Sequence, residues 1–378
     1  MTETARRPLL PFYFAQAFAH GALASVVALL SELRDKFGLG ESQLGIIVGI
    51  GFLTAFITQL TVSKLADRGH APLMIRLGLA CVSGSLIGFA AASVFWQFVL
   101  ARAILGVGVG MAQPAARRTV LLSDPTHAGR NLGRLASIEV IGFALAPALA
   151  GMLAELGGIV LPFVVLASGV AIAIAGLGRV RPDGGRKSDD NTSSLHLLKN
   201  RRFVGNLLLA TSTMLVIGAY EATWAVMLTD NGATLWQVGL SFTIFSIPMA
   251  VMAPFAGAWA QRGNAALIAI VGLGSAIVLG VGFSWVHTYW VFVALAFVIS
   301  FGEGAGVTAG LYEFSRSVPD ERQASAHGLQ GATAVLFAGI ASVVAAWLYD
   351  TSGQTVVWMV MPAIAFGSLT VGVLLRRT

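Results

Sequence analysis

Apolar residues in this chain fall into long unbroken runs, and polar residues collect in the breaks between them. This is neither the alternation of a half-buried strand nor the one-sided stripe of a surface helix. A helix crossing the hydrocarbon core of a bilayer needs about 20 apolar residues, since every backbone polar group there must be paired within the segment. Runs of that kind cover 8–31, 42–62, 72–92, 95–116, 132–154, 158–178, 203–229, 235–258, 265–284, 288–313, 324–348 and 355–375. The pattern predicts an all-α membrane protein of twelve transmembrane helices. An even number of crossings returns the chain to the side it began on.

Composition strengthens this expectation. Of the 378 residues, 56% are hydrophobic and 11% charged, against about 25% charged in soluble globular proteins. The net charge of +6 would suggest a nucleic-acid partner in a soluble chain, but the placement of the basic residues explains it otherwise. Only Arg34 and Lys36 fall at one face of the predicted bundle, and Arg102 lies within a span. The other Lys and Arg residues gather at the opposite face, among them Arg6, Arg7, Lys64, Arg117, Arg118 and Arg262. Basic loops stay in the cytoplasm, so both termini are expected there and the chain is expected in the inner (plasma) membrane. No nucleic-acid partner is needed. The single cysteine, Cys81, excludes an intramolecular disulfide. The opening "MTETARRPLLPFYFAQAFAHG" has the basic start of a signal peptide but no small-residue cleavage pattern, so it is expected to remain as the first helix.

The longest polar break, "GRVRPDGGRKSDDNTSSLHLLKNRR", suggests a cytoplasmic linker at 179–202 between six-helix halves at 1–178 and 203–378. Asn191-Thr192-Ser193 fits a glycosylation sequon, on the wrong side of the membrane for use. The halves resemble each other at an offset of 194 residues: Gln43, Gly45, Ala66, Arg68, Gly69 and Gly78 match Gln237, Gly239, Ala260, Arg262, Gly263 and Gly272. With a further shift of two residues, "GVGVG" at 106–110 lies over "GEGAG" at 302–306. Duplicated helix sets of this kind are common in transporters.

The loop after the second span, Ser63-Lys64-Leu65-Ala66-Asp67-Arg68-Gly69-His70-Ala71, resembles the pattern G-x-L-A-D-R-x-G-R-[KR] of the major facilitator superfamily. The L-A-D-R core is present, Ser63 replaces the leading Gly, and His70-Ala71 replaces the basic pair. The second-half copy retains Gly257 and Arg262, with Gln261 in place of the carboxylate. The resemblance implies a cytoplasmic gate formed by Asp67, Arg68 and Arg262. It extends to "LARAILGVGVGMAQP", where Arg102, Gly106 and Gly108 match the family's second motif. Arg102, Gly106 and Gln113 share one helix face, and that face is expected to line the cavity. "IEVIGFALAPALAGM" resembles the antiporter signature through Gly142, Ala146, Pro147, Ala150 and Gly151, with alanine at two glycine positions. Small residues there allow close helix approach and proline allows a bend.

Three acids lie well inside predicted spans, away from their ends: Glu139, Glu221 and Glu303. A charge at the bilayer centre costs about 2.5–3.5 kcal/mol on insertion scales, so such residues face cavities or ion partners. They are the candidates for proton coupling. The family resemblance implies that spans one, four, seven and ten line the substrate cavity, which brings in His20, Arg102, Gln113, Tyr220 and Trp224, with Tyr312 and Phe314 as further aromatic candidates. The "GVGVGM" string lies inside a spanning helix with no preceding strand, which excludes a dinucleotide loop. No nucleophile elbow, phosphate loop or His/Cys cluster is present in the sequence, so no enzyme activity, metal or cofactor is expected.

The expectation is therefore a twelve-helix transporter in two pseudo-symmetric halves, with a small-molecule substrate, protons and the lipid bilayer as partners, acting as a monomer. Similarity to the drug/proton antiporter branch implies proton-coupled efflux of amphipathic or cationic molecules by alternating access. Import of a sugar or organic acid, lipid flipping, and a receptor that binds without transport are the competing possibilities.

Overall fold

The structure, a computed structural model, describes residues 10–66, 70–123, 128–177, 198–317 and 323–377. Much of the linker expected at 179–202 lies outside them, as do Asp67 and Arg68. The first half of the chain forms α1 (Leu10–Ala28), α2 (Leu30–Phe37), α3 (Glu41–Leu65), α4 (Ala71–Ala91), α5 (Phe95–Ser123), α6 (Ala128–Gly157) and α7 (Val160–Gly176). The second half forms α8 (Arg201–Asp230), α9 (Leu235–Arg262), α10 (Ala265–Gly280), α11 (Tyr289–Arg316) and α12 (Gln323–Arg377), with one 3-10 turn at Val281–Ser284.

Among the described residues, nine helices are long and apolar enough to cross a membrane, or ten when α1 and α2 are taken as one span bent by 46°. Two features separate this count from the twelve expected spans. α7 has 17 residues, about 26 Å at 1.5 Å per residue and short of a 30 Å core. α12 covers two expected spans in 55 residues, divided at Gly353, where φ is 76° and ψ −179°. That backbone is open to glycine and strained for any residue with a Cβ.

Successive helices run up and down, so the turns at 38–40, 92–94, 158–159, 231–234 and 285–288 and the Gly353 break share one end, here called distal. The described chain ends lie at the other, proximal end. Two seams join the halves. In one, α3 packs on α12, with Gly45 against Ala346 and Gly49 against Val343 and Gly339. In the other, α6 packs on α9, with Gly151 against Leu235 and Gly239 against Pro147 and Ala148. Two helices that share an apolar environment with lipid gain most from close backbone approach, and small residues permit it.

The internal repeat is visible in packing. Gly78 of α4 sits on the Gly108 carbonyl and Ala112 of α5, while Gly272 of α10 sits on the Gly302 carbonyl and Gly306 of α11. Gly78 and Gly272 stand 194 residues apart, as do Gly108 and Gly302 and as do Ala112 and Gly306. The offset therefore continues unchanged. The two-residue shift expected for the glycine-rich segments is corrected, and Val109 becomes the counterpart of Glu303.

Candidate functional site

α8 is apolar on nearly all faces and correspondingly enclosed by its neighbours. It carries Tyr220, Glu221 and Trp224. Glu221 is 9% exposed and points across the boundary between the halves to Arg102 of α5, which is 1% exposed; Arg102 Nη2 lies 3.7 Å from Glu221 Oε2. The pair sits in the distal halves of both helices. Gly51 of α3 makes room for it, since a Cβ there would come within 2.6 Å of Arg102 Nε. Arg102 is enclosed within the bundle, and its partner comes from the other half. Its Nε and Nη1 find no acceptor among the described residues.

Further polar contacts join the halves at the distal end. Arg34 Nη2 donates to Asp230 Oδ1 at 2.7 Å, and the same guanidinium reaches Asp35 at 2.8 Å and Glu41 at 3.2 Å. Asp230 also accepts from the Tyr349 hydroxyl at 2.9 Å. Ser42 donates to Asp350, the backbone N–H of Trp236 donates to Glu155 at 3.1 Å, and the Thr243 hydroxyl donates to the Ala144 carbonyl. Phe143 and Phe242 meet edge-on at 5.9 Å. The distal end is thus closed by matched contacts from both halves.

Glu303 lies on α11 and is 5% exposed. It borders a small cavity lined by Thr213, Val216, Leu273, Ala276, Ile277 and Ile299, all from the second half. No Lys, Arg or His among the described residues is within ion-pair distance of it. The accessible volume of about 10 Å³ is near the lower limit for one water molecule. The Thr213 hydroxyl and the Tyr220 hydroxyl are both buried without hydrogen-bond partners among the described residues. The glycines around Glu303 serve packing instead. Gly302 and Gly306 bring α11 against α10, while Gly304 meets Met249 of α9.

His20 and Gln113 come together, with His20 Nε2 3.4 Å from Gln113 Nε2 and His20 Nδ1 3.0 Å from the Gln16 carbonyl. Trp224 is placed elsewhere than on a cavity wall. Its indole N–H donates to Ser241 at 2.8 Å, and its ring packs with Tyr220, Phe283 and Phe292 inside the second half. Phe314 packs on Phe203, and Tyr312 lies beneath Arg316. Glu139 is half-buried on α6. Arg262 is exposed at the end of α9, and its expected gate partners Asp67 and Arg68 fall outside the described residues.

The α6 segment that resembles the antiporter signature is a packing device at two contacts. Gly142 lies on the α1 backbone at Ala17 and Ala146 lies on Gly21, whereas Pro147 and Gly151 face α9. Sequence reasoning missed Gln16, 1% exposed with both amide atoms unpartnered among the described residues, and Thr213. A glutamine in an apolar run was a readable signal. A threonine is not, because its hydroxyl commonly bonds to its own helix.

The Major Facilitator Superfamily profile matches this chain at residues 12–223 and again at 203–378. An uncharacterized MFS-type transporter of Methanocaldococcus jannaschii is 23% identical over 330 residues, covering 84% of this chain and 83% of that protein. The quinolone resistance protein NorA of Staphylococcus aureus is 29% identical over 150 residues, 39% of each chain. Among solved structures, a bacterial homolog of the human lysosomal transporter Spinster, inward-facing and unoccupied, aligns over 98% of this chain and 96% of its own, with TM-score 0.82 and 13% identity. The nucleoside transporter NupG aligns over 97% of this chain and 99% of its own, with TM-score 0.79 and 12% identity. At these identities the structural likeness concerns the fold.

Proposed function

This chain belongs to the Major Facilitator Superfamily, a multi-pass membrane transporter family with small-molecule substrates, and on that premise we propose that it is a proton-coupled exporter of amphipathic or cationic molecules. The observation that carries this reading is Glu303, buried without a cation partner among the described residues. A carboxylate in such a place changes charge by exchanging a proton, with no ion pair to break first. Glu221 differs, because its charge is matched by Arg102 across the halves. Protonation at Glu303 would supply the coupling step, and parting of Arg102 from Glu221 would accompany opening of the distal end. Export is supported by the partial likeness to NorA. The basic residues at the proximal end support a plasma-membrane protein with cytoplasmic termini, and the distal closure supports a cytoplasm-facing state.

Proteoliposomes with an imposed pH gradient test the coupling. Glu303→Gln is expected to abolish gradient-driven movement of a cationic dye while leaving dye counterflow intact. Unimpaired gradient-driven transport in that variant would overturn the assignment.

A second reading rests on the two unpartnered nitrogens of Arg102, which suit an anionic substrate such as an organic acid. It predicts that Arg102→Gln eliminates organic-anion uptake while Glu303→Gln does not.

A further inference from the structure

A cleft of about 450 Å³ opens between α8 and the two limbs of α12, away from the boundary between the halves. Its floor includes Leu208 and Leu215 of α8. On its rim, Ile340, Ile364 and Val371 are 49%, 47% and 48% exposed. Gly367 keeps the cleft open, since a Cβ there would meet nothing within 4 Å. The hydroxyls in the lining have no donor left to offer an occupant. Thr211 donates to the Leu207 carbonyl at 2.9 Å, and Ser368 donates to the Leu208 carbonyl at 3.1 Å, so both are satisfied by the backbone. The occupant must therefore be hydrocarbon.

The proximal end of the cleft adds charge. Arg201, Leu208 and Leu215 recur at seven-residue steps and so share one face of α8. Arg202 and Arg376 are held by Glu313, at 3.0 and 2.8 Å, whereas exposed Arg201 and Lys199 have no acceptor among the described residues. From Arg201 to Leu215 the helix rises about 21 Å, close to the thickness of one leaflet with its headgroups. Arg201, at headgroup level in line with the apolar slot, and Lys199 two residues before it complement a negatively charged lipid.

We propose that this cleft holds one acyl chain of an anionic phospholipid whose headgroup rests on Arg201 and Lys199. The site lies apart from Arg102, Glu221 and Glu303. It touches both limbs of α12, so an occupant would brace that helix against α8. A zwitterionic lipid would fill the slot without using the basic pair, and a second copy of the chain would cover it with protein.

The test uses the full chain in phosphatidylcholine nanodiscs with trace phosphatidylglycerol carrying a diazirine in its acyl chain. Photolabelling should concentrate on the peptides containing Ile340 and Ile364. Unlabelled phosphatidylglycerol should compete better than phosphatidylcholine, about fivefold for each Lys or Arg that contributes. The Lys199→Gln/Arg201→Gln variant should retain labelling and lose that preference, and Gly367→Phe should reduce labelling itself. Labelling spread evenly around the belt, equal competition by the two lipids in the unaltered protein, a preference that survives in the double variant, or a chain-to-chain contact over the cleft would each overturn the proposal. The labelling of the unaltered protein decides the matter even where a variant fails to fold.

Discussion

Arg102 and Glu221 stand 119 positions apart in the chain and meet inside the bundle, Nη2 to Oε2 at 3.7 Å, one from each half. Removing one member leaves the other charge buried without compensation, which typically costs 3–5 kcal/mol, on the order of several degrees in Tm. Glu221→Gln should lower thermal stability on that scale. Arg102→Met with Glu221→Leu should destabilise less than either single change, because no buried charge remains. Thermal-shift measurements on the three variants check this. A double variant no better than the singles would mean that the pair is not an independent unit.

Gly51 and Gly84 form a matched pair of glycine tests. At Gly51 an added methyl would lie 2.6 Å from Arg102 Nε and 3.1 Å from its Cδ and Cγ. Gly51→Ala should therefore destabilise by about 1–3 kcal/mol through overpacking. At exposed Gly84 nothing lies within 4 Å, and Gly84→Ala should be neutral or stabilise by about 0.5–1 kcal/mol through reduced chain freedom. The difference in Tm between the two variants is the measurement.

The distal closure can be locked. Ser42 and Asp350, from opposite halves, are within hydrogen-bonding reach, and Cys81 is the chain's single native cysteine. In a Cys81→Ser background, Ser42→Cys with Asp350→Cys should form a disulfide on mild oxidation. Transport in vesicles should cease and return after reduction. Each single-cysteine control should transport in both conditions.

Thr213→Val bears on the cavity at Glu303. The hydroxyl it removes is buried and unpartnered, so stability should be unchanged or rise slightly, since an unpaired buried polar group is unfavourable. If the hydroxyl helps to carry a proton to Glu303, gradient-driven transport should slow while counterflow is preserved. A loss of several degrees in Tm would instead show that Thr213 is held by a bond essential to packing.

Most helices could be read from the sequence, because about 20 consecutive apolar residues leave few alternatives in a chain with 11% charged residues. The glycines and acids of α5, α6 and α11 were legible as positions where an ordinary apolar residue was missing. The pairing of Arg102 with Glu221 was not, since it depends on how the two halves dock. The bend at Leu29 was also hidden: "VVALLSEL" carries neither proline nor glycine around the break. Trp224 suggested a cavity wall because the family resemblance places its span at the cavity. Its hydrogen bond to Ser241 and its aromatic neighbours turn it into the packed interior. The register of the repeat was misjudged by two residues because glycine strings match in several alignments. Only the equal seating of Gly78 and Gly272 distinguishes among them.

The α6–α9 seam has a mechanical consequence. Gly151 on Leu235 and Gly239 on Pro147 bring backbone against backbone, leaving little side chain to flex between the two helices. Such a contact can turn more easily than it can separate. α9 has 28 residues and is about 42 Å long. If it is pinned in its distal third, a tilt of about ten degrees sweeps its proximal end through roughly 5 Å. The seam is then a fulcrum placed off-centre, and the long arm of the lever lies on the side that bears Arg262.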